Sequence, residues 1–236
     1  MQTKDNSKYS GREELISIES MKNYNFNIVK NAYKKIDNKS SRIVDFGAGI
    51  GTLSLIFRDQ FEINPICIEI DEGNIEFLKK RKLQFIKNLK SISDKLEFIF
   101  SSNVLEHIKN DSYILKEFRK NLKIGGRIYL YLPAKMILWS SLDETVGHYR
   151  RYEIVSLRNK LRALGFNVLE IHYADCLGFF ITLFWKFMKR KSKNNFASKK
   201  SLIFYDKYIF PLSNFLDKMG LRFLFGKNIV LIAEKL

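Results

Sequence analysis

Two spacings of apolar residues alternate along the chain. Leu15, Ile16, Ile18, Met21, Tyr24, Phe26, Ile28 and Val29 recur at helical spacing and predict a helix over 13–36, with a break near 23–27. The apolar run at 43–46 reads as a first strand, and Leu53, Leu55, Ile56 and Phe57 as the inward face of the helix behind it. The alternation then repeats. Strands are expected at 66–70, weakly at 83–89, and at 96–100 and 127–132; helices are expected at 71–82, 112–122 and 153–164. Strands at 166–171 and 228–233 close the pattern. Strands alternating with helices predict an α/β fold built on a mostly parallel sheet.

The joint after the first strand carries the strongest chemical signal. Asp45-Phe46-Gly47-Ala48-Gly49-Ile50-Gly51-Thr52 sets three glycines on alternate positions behind an acid. Glycine serves where the backbone takes φ > 0 or a ligand comes close. A dinucleotide fingerprint needs a glycine where Thr52 stands, so the pattern is D-x-G-x-G-x-G instead. In open α/β sheets the ligand crevice lies beyond the carboxyl ends of the strands. Backbone N–H groups of the turn are expected to face a ligand's polar end there. Glu69 follows Gly51 by 18 residues, near the end of the second strand. An acid about 20 residues on accepts hydrogen bonds from ribose hydroxyls. Asp71 is the alternative, or the cap of the next helix.

Charge and composition change this picture only in part. The 236 residues are 46% hydrophobic, enough for one domain with a sizeable core. A formal net charge of +16 points to an anionic partner, and equally to the Lys-, Asn-, Ile- and Phe-rich usage of an A/T-rich genome. Cys67 and Cys176 are far apart, in apolar surroundings and outside any C-x-x-C, so they read as core thiols and no metal site is expected. The polar N-terminus has no apolar signal region, and no apolar run reaches the roughly 20 residues of a membrane span. A cytoplasmic protein is expected, with membrane-peripheral contact as its variant.

These motifs resemble class I S-adenosylmethionine-dependent methyltransferases. The glycine pattern matches their first motif, and Asn103-Val104-Leu105-Glu106-His107-Ile108 matches their post-strand-four motif nearly literally. Glu97 stands where Asp is usual, and Ile124 replaces Pro in Leu122-Lys123-Ile124-Gly125-Gly126. Pro133-Ala134, then Asp143-Glu144 and Gly147-His148-Tyr149-Arg150-Arg151-Tyr152, is similar to a bacterial type 11/12-like subgroup associated with glycan or lipid-linked sugar pathways. The resemblance spans about residues 20–236. It implies a Rossmann-like, doubly wound seven-stranded sheet whose last strand is antiparallel and lies between strands five and six. It also implies S-adenosyl-L-methionine as cofactor, with Asp45, Gly47, Ala48, Gly49, Glu69, Ile70, Ser102 and Asn103 around it. Asn88 falls near a family Asp that contacts the adenine amine, and its carbonyl oxygen is also an acceptor.

The polar stretch at 143–152 leaves the carboxyl end of strand five and is expected over the crevice. For a hydroxyl acceptor, His148 takes the proton and Asp143 or Glu144 orients its imidazole. Arg150 and Arg151 hold a substrate carboxylate or phosphate, and Tyr149 and Tyr152 wall the pocket. The competing reading pairs both arginines with the two acids as a structural staple and makes His148 a satisfied structural group. His107 reads as an orienting or structural group.

Within a single domain, 1–40 is an N-terminal helical segment, 41–171 the α/β core, 172–227 a helical insertion and 228–236 the last strand. The insertion is expected first as a lid over the substrate. Its apolar 176–185 run, with Lys186, Lys189, Arg190, Lys191 and Lys193 behind it, also fits peripheral membrane contact through 176–193. The acceptor is expected to be a small molecule, a sugar or a lipid-linked sugar, methylated on oxygen. Nucleic acid is the alternative that the charge raises. Ser101-Ser102-Asn103-Val104 lacks the Pro-Pro of base-methylating relatives and argues against it. The third class, a non-catalytic nucleoside-binding module, is disfavoured by the intact glycine turn and Glu69.

Overall fold

Ile43 and Val44, neighbours on β1 (Ile43–Phe46), are both buried, one in each of two core clusters on opposite faces of the sheet. Burial on both faces marks a central parallel strand. The computed structural model describes residues 12–38, 42–93, 95–188 and 198–236. Six further strands join β1: β2 (Ile66–Ile68), β3 (Phe85–Ile86), β4 (Leu96–Ser102), β5 (Leu122–Pro133), β6 (Phe166–Ala174) and β7 (Asn228–Lys235). They form one sheet of order β3-β2-β1-β4-β5-β7-β6, in which β7 alone is antiparallel, between β5 and β6. This is the doubly wound seven-stranded arrangement expected from the motifs. Asp45 pairs with Cys67 on one side and Phe100 on the other, so β1, β2 and β4 deliver their carboxyl ends to one rim.

Helices cover both faces. α2 (Lys22–Tyr33) and α3 (Thr52–Phe61) pack Val29 and Phe57 against Phe98 and Tyr129. On the other face, α5 (Asp111–Asn121) and α7 (Ile154–Ala163) bury Leu115, Phe118, Leu157 and Leu161. α4 (Glu72–Lys80) packs Leu78 against the buried Cys67 of β2. The expected helix over 13–36 is two helices, α1 (Arg12–Ile18) and α2, and the break falls at 19–21 rather than 23–27. The reason is remote in sequence. The Asp206 carboxylate accepts the backbone N–H groups of Asn23 at 3.0 Å and Tyr24 at 2.8 Å, capping α2 from outside.

Between β6 and β7 lie α8 (Cys176–Met188), α9 (Lys199–Phe204), a π-turn at Tyr205–Ile209 and α10 (Phe210–Lys218). Buried polar groups dock them: Asp217 accepts Asp175 N–H at 2.7 Å, and Ser213 accepts Leu177 N–H at 3.0 Å. Phe210 meets Tyr24 of α2 edge-on at 5.1 Å. The basic run expected at 189–193 lies outside the described residues. A short helix, α6 (Ser141–Thr145), follows β5, and the chain then returns along that strand's end. Tyr152 N–H donates to Pro133 O at 2.8 Å, and Lys135 N–H donates to Tyr152 O at 2.9 Å.

Candidate active site

At the rim of carboxyl ends lies a cavity of about 900 Å³, the size of a pocket for a nucleoside and a second molecule. Its near wall is the glycine turn. Gly47, Gly49 and Gly51 all have positive φ, and a Cβ on Gly47 would stand 2.3 Å from Val104 Cγ2. Only glycine fits between β1 and the chain leaving β4. The N–H groups of Gly47, Ala48, Gly49 and Gly51 are, however, used inside the protein. Gly47 and Ala48 donate to Ile68 O, Gly51 to Ala48 O, and Gly49 to Glu69 Oε2 at 2.8 Å. The expected row of turn donors toward a ligand is therefore corrected: the turn supplies close approach and fixes Glu69. The other Glu69 oxygen accepts the N–H groups of Ile70 and Asp71, so its carboxylate is locked in place on the cavity wall.

Asp45 lies beneath the turn, 2% exposed, and accepts the Ser54 hydroxyl at 2.6 Å. Burial pushes its carboxyl up to about 7, against the Ser54 hydrogen bond. Ala48, Ile70, Ser102 and Asn103 also line the cavity. Asn88 does not. Its side chain accepts Lys90 N–H at 2.9 Å and caps the turn Leu89–Ser91, away from the cavity. Its expected place beside a cofactor is corrected, because the short β3 ends before it and its oxygen serves the local turn.

The far wall is the 143–152 segment. Asp143 is 1% exposed and accepts from His148 Nδ1 at 2.8 Å, Arg151 Nε at 2.9 Å, Arg151 Nη2 at 3.1 Å and Ser140 N at 2.9 Å. Burial raises its carboxyl, but His148 and Arg151 outweigh burial and hold it at about 2. The ionised carboxylate therefore accepts a hydrogen bond from His148 Nδ1–H, which turns Nε2 toward the cavity. Glu144 instead accepts the Trp139 indole N–H at 3.2 Å, so Asp143 is the orienting acid.

The arginines are paired within the protein. Arg151 grips Asp143 bidentately, and Arg150 binds Asp111 at 3.1 Å and Lys109 O at 2.7 Å, outside the cavity. A substrate fork made of Arg150 and Arg151 is thus corrected to a staple, although Arg150 pairs with Asp111 and not with the segment's own acids. Tyr149 lines the cavity and donates its backbone N–H to Glu106 O at 2.7 Å. Tyr152 is buried against Asp111 and walls nothing.

The α1 residues and Glu106 carried no site expectation, and His107 was expected only as an orienting or structural group. Glu14, Leu15 and Ile18 of α1, with Glu19 just after it, line the cavity beside the glycine turn, Leu15 Cδ1 lying 3.1 Å from where a Gly49 Cβ would be. The helices between β6 and β7 contribute no described residue of α8, α9 or α10 to the wall, so the expected lid is replaced by α1. Glu106 and His107 also face the cavity. Burial pushes the Glu106 carboxyl up to about 8, and burial with the adjacent His148 pulls His107 down to about 4. An acid inside an apolar run was the available signal for Glu106.

Although the chain is strongly basic, the cavity is acid-lined. Glu14, Glu19, Asp45, Glu69, Asp71, Glu106 and Asp143 line it with Arg151 and Lys227. Such a site suits a ligand with positive charge and hydroxyl donors. S-adenosylmethionine, with its sulfonium, ammonium and ribose, fits the glycine turn and Glu69 on these grounds.

The comparisons agree. A family profile described as methyltransferase domain matches residues 18–171. The biotin biosynthesis bifunctional protein BioHC of Cellvibrio japonicus is 26% identical over 144 residues, covering 55% of this chain and 28% of that protein. A SAM-dependent methyltransferase of Archaeoglobus fulgidus superposes with a TM-score of 0.58 at 22% identity, over 89% of this chain and 94% of that one. Magnesium protoporphyrin IX methyltransferase of Synechocystis, solved with bound S-adenosylhomocysteine, gives 0.57 at 13% identity, over 93% and 86%. At these identities the structural matches establish the shared fold.

Proposed function

The chain belongs to the methyltransferase-domain family matched over residues 18–171, and from that premise we propose that it methylates a hydroxyl of a sugar or lipid-linked sugar, with S-adenosylmethionine as donor. The observation that carries this reading is the meeting, in one cavity, of the Glu69-braced glycine turn and the Asp143-held His148. Bound there, the donor supplies an electrophilic methyl group on sulfur. Glu69 accepts from the ribose, and the glycine turn lets the amino-acid end lie close to the backbone. His148 and Glu106 sit at the acceptor end, where an oxygen nucleophile has to lose its proton. Methyl transfer is an in-line displacement, so most of the protein's work is positioning.

The lipid-linked form of the acceptor rests on the helices between β6 and β7. Phe184, Trp185, Phe187 and Met188 on α8, with Phe204, Tyr208, Leu212 and Phe215 beyond it, are all more than half exposed. Exposed aromatic and aliphatic side chains on these helices fit an interfacial membrane contact. Among the described residues no helix is long and apolar enough to cross a membrane.

The experiment is a transfer assay with methyl-labelled donor against nucleotide sugars, lipid-linked sugars in anionic vesicles, and RNA. The expected product is an alkali-stable methyl ether on the sugar, formed fastest with the vesicle-borne acceptor. Label on nitrogen, or on RNA in preference to sugars, contradicts the reading.

A further inference from the structure

Three donors converge at the acceptor end of the cavity. A carboxylate oxygen of Glu106, a ring nitrogen of His107 and one of His148 all lie within 4.8 Å of one another. Building on the methyl-transfer reading, we propose that they bind one divalent first-row transition-metal cation, which holds and acidifies the acceptor hydroxyl.

Glu106 is the strongest reason. It is fully buried, and neither carboxyl oxygen has a hydrogen-bond partner on another residue. Buried polar groups are almost always paired, so a fully buried carboxyl group without a partner from another residue calls for a reason. A cation among the three donors accounts for a carboxyl group buried beside two imidazoles. His148 Nε2 stands 3.9 Å from Glu106 Oε1, while its Nδ1 is held by Asp143. A carboxylate behind the imidazole is the usual outer support of a metal-ligating histidine, fixing its tautomer and orientation. The His107 ring hydrogen-bonds to the Val146 carbonyl and meets the His148 ring edge-on at 4.5 Å.

The spacing is close to what coordination needs. Donors at about 2.1 Å from a cation stand about 3 Å apart when adjacent, so small side-chain rotations would gather these three. Two imidazoles and one carboxylate favour manganese, iron, cobalt or zinc over magnesium or calcium, which prefer oxygen donors. Three protein ligands leave coordination positions open toward the cavity, and a hydroxyl with an oxygen on the next carbon could take two of them. Coordination lowers the hydroxyl's pKa. The O–H bond breaks with its electron pair kept on oxygen, and the proton leaves to solvent water. The oxygen then bonds the methyl carbon as the carbon–sulfur bond breaks, its pair going to sulfur. His148 is a ligand in this scheme, and its lone pair is not the proton acceptor.

The test titrates chelator-treated full-length protein with Co²⁺, read by its visible absorption, and with Mn²⁺, read by electron spin resonance. The wild type is expected to bind one ion per chain. Glu106→Gln and His107→Gln should weaken binding at least tenfold, and Asp143→Asn about 10- to 100-fold, each with a cooperative thermal transition as the folding control. Failure of the wild type to bind either ion at millimolar concentration overturns the proposal, as do folded Glu106→Gln and His107→Gln variants that bind like wild type. S-adenosylhomocysteine binding is measured in parallel. Its loss with Co²⁺ binding intact counts against the methyl-transfer reading and leaves the cation site standing.

Discussion

His148 Nδ1 lies 2.8 Å from Asp143 Oδ1. The carboxylate fixes which imidazole nitrogen faces the acceptor, so Asp143 is a positioning residue. Asp143→Asn is expected to lower kcat about 10- to 100-fold, the scale of losing such a support. KM for the methyl donor should stay within about twofold, because Asp143 lies on the acceptor wall. Steady-state kinetics checks the split. Equal losses in both parameters would mean that the segment merely holds the pocket together.

Gly47 and Gly125 isolate the glycine turn. Both have positive φ, at 76° and 75°, so alanine at either strains the backbone by about 1–2 kcal/mol. At Gly125 nothing lies within 4 Å of the added Cβ; at Gly47 it meets Val104 at 2.3 Å. Gly47→Ala should therefore be the more destabilising by about a further 1–3 kcal/mol. Urea unfolding of both variants measures the gap, and equal losses would remove the close-approach argument.

Asp45 gives stability a pH dependence. Its folded-state carboxyl is raised to about 7, and its unfolded value is about 3.9. Between those values the folded protein binds the extra proton. The contribution is fully present below about pH 4 and is lost as pH rises through 7. Asp45→Asn cannot titrate, so wild-type stability measured against it should fall from pH 5 to pH 8. The slope should be at most about 1.4 kcal/mol per pH unit. A pH-independent difference in urea melts contradicts this.

Much of this was legible where the signal is local. The glycine spacing, the strand-end acid Glu69 and the alternation of strands and helices depend on neighbours in sequence, and they locate one cavity wall and the sheet. Contacts between distant residues were not legible. Nothing near Asn23 announces the cap from Asp206, and nothing near Arg150 points to Asp111 rather than to a substrate. Asn88 was placed by analogy with a longer strand, and β3 is only Phe85–Ile86. The lid was sought in the long insertion because of its length and apolarity. Packing of Phe210 on Tyr24 carries those helices toward α2, while Leu15 of α1 lies over the turn.

The central claim is that the glycine turn and Glu69 bind the nucleoside of S-adenosylmethionine. Calorimetric titration of S-adenosylhomocysteine into the wild type and Glu69→Ala tests it most directly. A charge-assisted hydrogen bond is worth about 1.5–3 kcal/mol, so the account predicts binding by the wild type and at least about tenfold weaker binding by the variant. Equal affinity in a folded Glu69→Ala protein, or no binding by the wild type with or without candidate acceptors, would contradict it.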